Sequence, residues 1–247
     1  MVWVTESKAP DDLRIYAIGD VHGCLDMLRE LHDAIEQDLS QHPADDWTVV
    51  HVGDYVDRGP DSRGVIDYLS GLAAKDDRMV FLLGNHDLMF SRSVKGDRQM
   101  LRTWMTNGGE ETLQSYGLRV DTFIERLSQN SPMDDVFPPE HIAFLENLDH
   151  AAHMGDFFFV HAGVDPERGL DAQELDDMLW IRDRFIRDGR EYEAVIVHGH
   201  TPTRRVDVKA NRVGIDTGAV YGGDLTCLVL DGARKARIGP TGRLPLL

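Results

Sequence analysis

The sequence predicts an α/β fold, on three observations. Short apolar runs rich in strand formers alternate with stretches whose apolar residues recur at helical spacing. Several of those runs end in a small cluster of Gly with Asp, Asn or His. Hydrophobic residues make up 42% of 247 positions, enough for a sizeable buried core.

Taken in order, residues 13–19 form the first expected strand. Leu25, Leu28, Leu31, Ile35 and Leu39 then mark one face of a helix, and residues 47–53 form a second strand. A helix near residues 63–74 and a third strand at 79–84 continue the βαβ rhythm, which implies a parallel sheet with helices packed on it. From about Asp87 to Asn147 the pattern is mostly helical, broken at Gly108-Gly109, Gly117 and Pro138-Pro139. This reads as a mainly helical insertion at about residues 88–150 within a single domain spanning 1–247. Strands return at 157–160, 194–197, 212–215 and 225–230, spaced closely enough for a second, more mixed sheet. There is no internal repeat and no low-complexity tract.

Composition narrows the function. The formal net charge of −17 repels nucleic-acid backbones and anionic lipid, so neither nucleic acid nor membrane is an expected partner. Two cysteines, Cys24 and Cys227, are too few for a disulfide framework and suit a reducing compartment. The first residues carry no basic start or apolar stretch of signal-peptide length, and no apolar run approaches the roughly 20 residues that span a bilayer. The expected location is the cytoplasm.

The chemistry lies in the clusters: Gly19-Asp20-Val21-His22-Gly23, Gly53-Asp54, Gly84-Asn85-His86-Asp87, His161-Ala162-Gly163 and His198-Gly199-His200. One Gly-Asp after a strand is ordinarily a turn, because Gly tolerates positive φ and Asp caps the next helix. Five such endings imply more, since side chains just past the carboxyl ends of strands in an α/β sheet converge on one crevice. Carboxylates, imidazoles and one amide suit Mn²⁺, Fe or Zn²⁺ better than Ca²⁺ or structural zinc. Two divalent ions, about 3.5–4 Å apart and bridged by a carboxylate and a hydroxide, are the natural count. Beyond Asp54, Asp57 is placed to orient His86 as a general acid, and Arg58 offers a planar fork for phosphoryl oxygens.

In these residues the chain resembles the phosphoprotein phosphatases (PPP family), in particular their bacterial and phage serine/threonine members, within the calcineurin-like metallophosphoesterases. The resemblance rests on GDVHG at 19–23, GDYVDRG at 53–59, GNHD at 84–87, VHAG at 160–163 and HGHTP at 198–202, and extends over residues 13–230. It implies two mixed β-sheets sandwiched between helices. It also implies Asp20 and His22 on the first metal, Asp54 bridging, and Asn85, His161 and His200 on the second. His86 becomes the proton donor paired with Asp57, and Arg58 holds the phosphoryl group, joined by Arg182 in a segment similar to the Trp-x-Arg stretch of small bacterial and phage members.

The implied enzyme is a phosphomonoesterase dependent on two metal ions, Mn²⁺ foremost and Fe or Zn²⁺ otherwise. It hydrolyses phosphoserine and phosphothreonine in proteins or peptides by in-line attack of a metal-bridging hydroxide, with small phosphoesters as further substrates. The chain departs from many family members in carrying GNHD where they have GNHE. Asp87 also occurs in the symmetrical diadenosine tetraphosphate hydrolases, which form the alternative reading. A non-catalytic phosphate-binding scaffold is the third reading, and the presence of every metal position together with His86 argues against it.

The remaining histidines, His32, His42, His51, His141, His150 and His153, lack the Gly-flanked context and are expected at the surface or in packing, with His198 in a supporting role. Residues 104–116 are expected in the core of the insertion, and Cys24 as a small packed residue.

Overall fold

A computed structural model describes residues 2–239 and 242–246. In chain order it contains β1 (Leu13–Ile18), α1 (Leu25–Gln41), β2 (Asp46–His51), α2 (Ser62–Ala73) and β3 (Met79–Phe81). Five helices follow: α3 (Asn85–Val94), α4 (Arg98–Met105), α5 (Gly109–Ser115), α6 (Val120–Ser128) and α7 (Pro139–Glu146). Then come β4 (Ala151–Met154), β5 (Phe157–Val160), α8 (Leu175–Trp180), α9 (Asp183–Ile186), β6 (Val195–His198), β7 (Asp207–Val208), β8 (Arg212–Gly214), β9 (Cys227–Asp231), β10 (Arg234–Gly239) and β11 (Gly242–Pro245).

The strands make two mixed sheets, ordered β11-β10-β9-β1-β2-β3 and β4-β5-β6-β8-β7. Side-chain alternation explains the layering. Ile15 and Ala17 of β1, Leu228 and Leu230 of β9, Phe157 and Phe159 of β5 and Val195 and Val197 of β6 fill the space between the sheets. Their alternates turn outward. Tyr16, Ile18 and Val229 pack under α1 and α2, whose buried stripes include Leu28, Ile35, Val65 and Leu69. Phe158, Val160 and Ile196 pack under Met178 and Phe185 of α8 and α9. The result is four layers, helix-sheet-sheet-helix, as the sequence resemblance implied. No helix among the described residues is long and apolar enough to cross a membrane.

Two expectations need correction. The first sheet is not purely parallel: β1, β2 and β3 run together, but β9 pairs antiparallel with β1, so the strand assigned to the second sheet returns to the first. Apolar patterning marks a buried strand without naming its partner. The third strand is also shorter than expected, ending at Phe81, with Leu82 continuing only as a bridge to Asp149. Strands β4, β7, β10 and β11 were not foreseen. They are short or half-exposed, and the β10–β11 hairpin carries Arg234, Lys235, Arg237 and Arg243, which mask its alternation.

What this architecture does for function is directional. The parallel strands β1, β2 and β3 of one sheet and β5 and β6 of the other each lead into one of the clusters, through Asp20, Asp54, Asn85, His161 and His200 respectively, and β8 leads into a further carboxylate, Asp216. Because each set is parallel, its carboxyl ends share one edge, and the sandwich brings the two edges together. Phe159, fully buried between the sheets, is central to that union. Phe159→Ala is expected to cost about 3–5 kcal/mol by cavity formation, read as a lower urea midpoint with an unchanged slope.

Candidate metal centre

The loops at this edge are strained. His22, Asp54, Asp57, Arg58 and His200 have φ of 43°, 56°, 74°, 68° and 63°, and among the described residues Asn130 is the one other non-glycine in that region. Such conformations cost of order 1–3 kcal/mol each and persist only where surroundings impose them. Here hydrogen bonds do so. Val21 and His22 donate backbone N–H groups to the Asp54 carbonyl at 3.1 and 2.8 Å, and Arg58 N–H donates to the Gly108 carbonyl at 3.1 Å. The Asp87 carboxylate accepts from the N–H groups of Asp54 (2.8 Å), Tyr55 (2.9 Å) and Gly84 (2.9 Å), clamping the second and third loops together. Burial and the charge of Asp54 push the Asp87 pKa up to about 7, against the pull of those N–H donors. Close approach also requires glycine at two points: a Cβ on Gly84 would lie 2.2 Å from Asp54 Oδ1, and one on Gly199 would lie 2.0 Å from Asp20 Oδ1.

Two buried donor groups result, His22 with Asp54 and His86, and Asp54 with His161 and His200; in each, the ligand atoms lie within 4.8 Å of one another. Asp54 belongs to both. Backbone carbonyls set the imidazole tautomers, since a carbonyl can only accept. His22 donates from Nδ1 to Val56 O at 2.7 Å and His161 from Nδ1 to Val52 O at 2.9 Å, which leaves Nε2 of each facing the centre. His161 Nε2 (2.9 Å) and His200 Nδ1 (2.8 Å) both close on the amide oxygen of Asn85, while His200 Nε2 is buried with no partner. Asp20 lies beside these groups rather than within either, accepting the His200 backbone N–H at 3.0 and 3.2 Å.

The electrostatics fit a cation. Burial lowers the pKa of His22 to about 3 and of His200 to about 2, assisted by neighbouring cationic groups, so both present lone pairs. Burial also disfavours the charged form of His161, but the Asp54 carboxylate overrides it and raises the pKa to about 9. A proton on Nε2 is what lets that nitrogen sit 2.9 Å from an amide oxygen, and a metal ion would relieve the same opposition of lone pairs. Arg58 Nη1 donates to His22 Nε2 at 2.7 Å, another positive group on a donor nitrogen of the centre. Burial opposes ionisation of Asp54, yet the imidazoles around it, His161 first, hold its pKa well below the usual carboxylate range. Burial and the neighbouring Asp216 raise that of Asp20.

His86 has a separate support. Its Nδ1 lies 2.6 Å from Asp57 Oδ2, leaving Nε2 as the nitrogen open to a substrate. The other Asp57 oxygen accepts from Trp104 Nε1 at 2.7 Å and Thr112 Oγ1 at 2.6 Å, and the Asp57 N–H donates to Ser62 Oγ and Thr112 Oγ1. Asp57 is fully buried. Trp104 and Thr112 were not foreseen at the site. They lie 47 and 55 residues away in the chain, on helices without Gly-flanked clusters. Residues 104–116 do supply core aromatics, with Phe90–Trp104 at 5.2 Å and Tyr116–Phe137 at 4.9 Å between ring centroids.

Of the nearby arginines, Arg184 and Arg187 are engaged by Asp165 (2.6 Å) and Asp183 (2.9 Å), whereas Arg182 is exposed, makes no ion pair among the described residues and helps to hold the His200 pKa low. Two aromatics without a sequence signal flank the centre: Trp180, edge-on to His200 at 6.4 Å, and Tyr221, whose ring lies 5.9 Å from the Arg58 guanidinium. The other histidines lie apart. His32 and His51 share a buried contact at 3.0 Å, His141 is held by Tyr116 and Asp67, His42 pairs with Asp38, and His150 and His153 are exposed. His198 is buried against Arg212 and belongs to neither donor group. Cys24 is half-buried at the start of α1.

A four-layer sandwich with a carboxylate shared by two imidazole-rich groups defines a metal-dependent phosphoesterase. The chain belongs to the calcineurin-like phosphoesterase family, whose model matches residues 13–228, and it is a phosphoester hydrolase. That family uses a dinuclear metal centre. The chain is 32% identical over 222 residues to serine/threonine-protein phosphatase 1 of Salmonella typhimurium, covering 86% of this chain and 89% of that protein. It is 28% identical over 232 residues to the asymmetrical bis(5'-nucleosyl)-tetraphosphatase PrpE of Anoxybacillus flavithermus, covering 85% and 88%. The sequence had suggested the symmetrical kind as the alternative. In fold it matches a cold-active protein-tyrosine phosphatase of a Shewanella species, with a TM-score of 0.63 at 18% identity over 99% of this chain and 84% of that one.

Trp104→Phe keeps the ring packing but leaves Asp57 one donor short. The expected cost is about 1–3 kcal/mol of stability, together with a fall in kcat that leaves metal content unchanged, read by denaturation, turnover and plasma emission.

Proposed function

We propose that the chain is a serine/threonine protein phosphatase acting through two metal ions, Mn²⁺ foremost. The observation that carries this reading is Asp54, a buried carboxylate common to two donor groups, with the His86–Asp57 pair beside it. Asp20, His22 and Asp54 would hold one ion, and Asp54, Asn85, His161 and His200 would hold the other. When bound, the pair supplies Lewis acidity and lets water ionise near neutral pH.

The protein's own groups do the rest. Arg58 and Arg182 donate to the phosphoryl oxygens as charge develops on them. His86 Nε2 gives a proton to the leaving serine or threonine oxygen, while Asp57 holds the ring and stabilises its charged form. Hydrolysis is direct, without a phosphoenzyme. The thiol two residues after His22, Cys24, bonds weakly to the His22 carbonyl at 3.6 Å, and burial raises its pKa, which disfavours its nucleophilic thiolate form.

The protein-phosphatase preference is supported by the Salmonella relative. The tetraphosphatase reading is supported by PrpE relatives. The Asp87 departure favours neither, because the side chain is buried and both its oxygens are spent on backbone N–H groups. A cytoplasmic location is proposed on the two free cysteines.

On a phosphoserine peptide, kcat/KM is expected to exceed that on diadenosine tetraphosphate at least tenfold; the reverse order selects the tetraphosphatase. His86→Ala is expected to cut turnover on the phosphoserine peptide about 10²-fold or more, and on nitrophenyl phosphate much less, since a general acid matters most for a basic leaving oxygen. Equal losses refute the assignment. Asp54→Asn is expected to lower both metal content by plasma emission and activity.

A further inference from the structure

Away from the centre, many arginines are absorbed by carboxylates: Arg14 by Asp231, Arg126 by Asp135, Arg190 by Asp188, Arg212 by Asp207 and Arg243 by Asp38. Others are not, and Arg204, Arg205 and Arg237 are the three of these that meet in one place. None makes an ion pair among the described residues, yet all three line one cavity of about 530 Å³. That volume falls within the span of small-molecule pockets, about 300–1,000 Å³. Three arginines and one acidic residue, Asp224, line it, in a chain whose net charge is −17.

The cavity is built by the fold. Ile238 of β10 packs toward the helix layer with Leu28 and Ile35, so alternation turns Arg237 to the inner side of its sheet. Lys235 shares that side, its ammonium 5.9 Å from the Phe157 ring. On that side the half-buried Arg237 stands opposite Leu228 of β9 and Lys235 opposite Leu230, apolar neighbours that offer neither a counter-charge. Protection of an exposed sheet edge does not account for it, because β11 and not β10 is the edge strand.

The opposite wall is the segment that leaves His200. Thr203 fixes it, donating its N–H to Asp216 O at 3.0 Å and its hydroxyl to Arg205 O at 2.7 Å. Thr217 and Thr226, whose hydroxyls meet at 2.7 Å, contribute further lining, with Pro245 and Leu246.

We propose that this cavity is a second anion site, separate from the metal centre, that takes a multiply charged phosphate: an oligophosphate, free or carried on a nucleoside. Guanidinium forks match phosphate oxygens in pairs, and three of them suit an anion with several negative charges rather than a single carboxylate. The walls join it to the reacting centre through Thr217, next in sequence to Asp216, and through the 200–205 segment that begins at His200.

The test is calorimetric titration of the metal-loaded full chain with two non-hydrolysable probes, a methylene-bridged inorganic triphosphate and adenosine β,γ-methylene triphosphate. The wild type is expected to bind two equivalents, one at each site. Arg204→Gln/Arg237→Gln is expected to weaken one equivalent at least tenfold while nitrophenyl phosphate turnover stays within twofold. Arg58→Ala is expected to retain that equivalent, and the tighter of the two probes identifies the source of the phosphate. Identical binding by the wild type and the Arg204/Arg237 variant, or loss of all binding in Arg58→Ala, overturns the proposal. It stands apart from the catalytic reading, because a chain inactive on every phosphoester would still bind at these arginines.

Discussion

One carboxylate organises the active edge of this protein. Asp54 sits in the loop that follows β2, contributes to both donor groups, accepts the backbone N–H of His86 at 3.0 Å and is itself held by Asp87 through its own N–H. Burying such a charge is costly unless it is surrounded by donors and positive groups. The imidazoles of His22, His161 and His86 supply that surrounding, and they come from three other loops spread over both sheets. The constraint therefore runs in both directions: the fold assembles the imidazoles, and the imidazoles meet the electrostatic need that the fold creates by burying Asp54.

The strain at the loops belongs to the same account. Five residues in the left-handed region are unfavourable individually, and four of them are held by hydrogen bonds: His22 and Asp54 by backbone bonds between the first two loops, Asp57 by the Ser62 and Thr112 side chains, and Arg58 by the Gly108 carbonyl. Stability is thus traded for preorganisation, and the trade is possible because three apolar layers, with Phe157 and Phe159 in the innermost, hold the frame.

Much of this was legible in the sequence, for a physical reason. Gly-flanked polar clusters after apolar runs are local, so Asp20, His22, Asp54, Asn85, His86, His161 and His200 announce themselves within a few residues each, and α/β topology says where such ends must meet. What was not legible is held by distant residues with ordinary neighbours. Trp104 and Thr112 reach Asp57 from α4 and α5, and nothing in their immediate sequence distinguishes a buried indole donor from a core aromatic. The pairing of β9 with β1 was hidden likewise, since period-two alternation specifies a face and not a neighbour. Nor could the motif reveal that Asp87 is a backbone clamp: its position suggested a role in substrate choice, and its geometry assigns the side chain to the loops.

The acidity of the chain and the chemistry of its centre are reconciled by distance. At physiological salt, charges farther than about 8 Å are largely screened, so a net charge of −17 spread over the surface governs solubility and encounter rather than the energy of a bound phosphate. Local charge decides that energy. Around Asp54 it is set by imidazoles, Arg58 and whatever cation the donors hold, and two arginines close to Arg182 in the chain, Arg184 and Arg187, are occupied by neighbouring carboxylates. An acidic surface therefore does not oppose phosphate recognition; by engaging surplus guanidiniums it leaves the unpaired ones, Arg182 among them, as the points where an anion gains most.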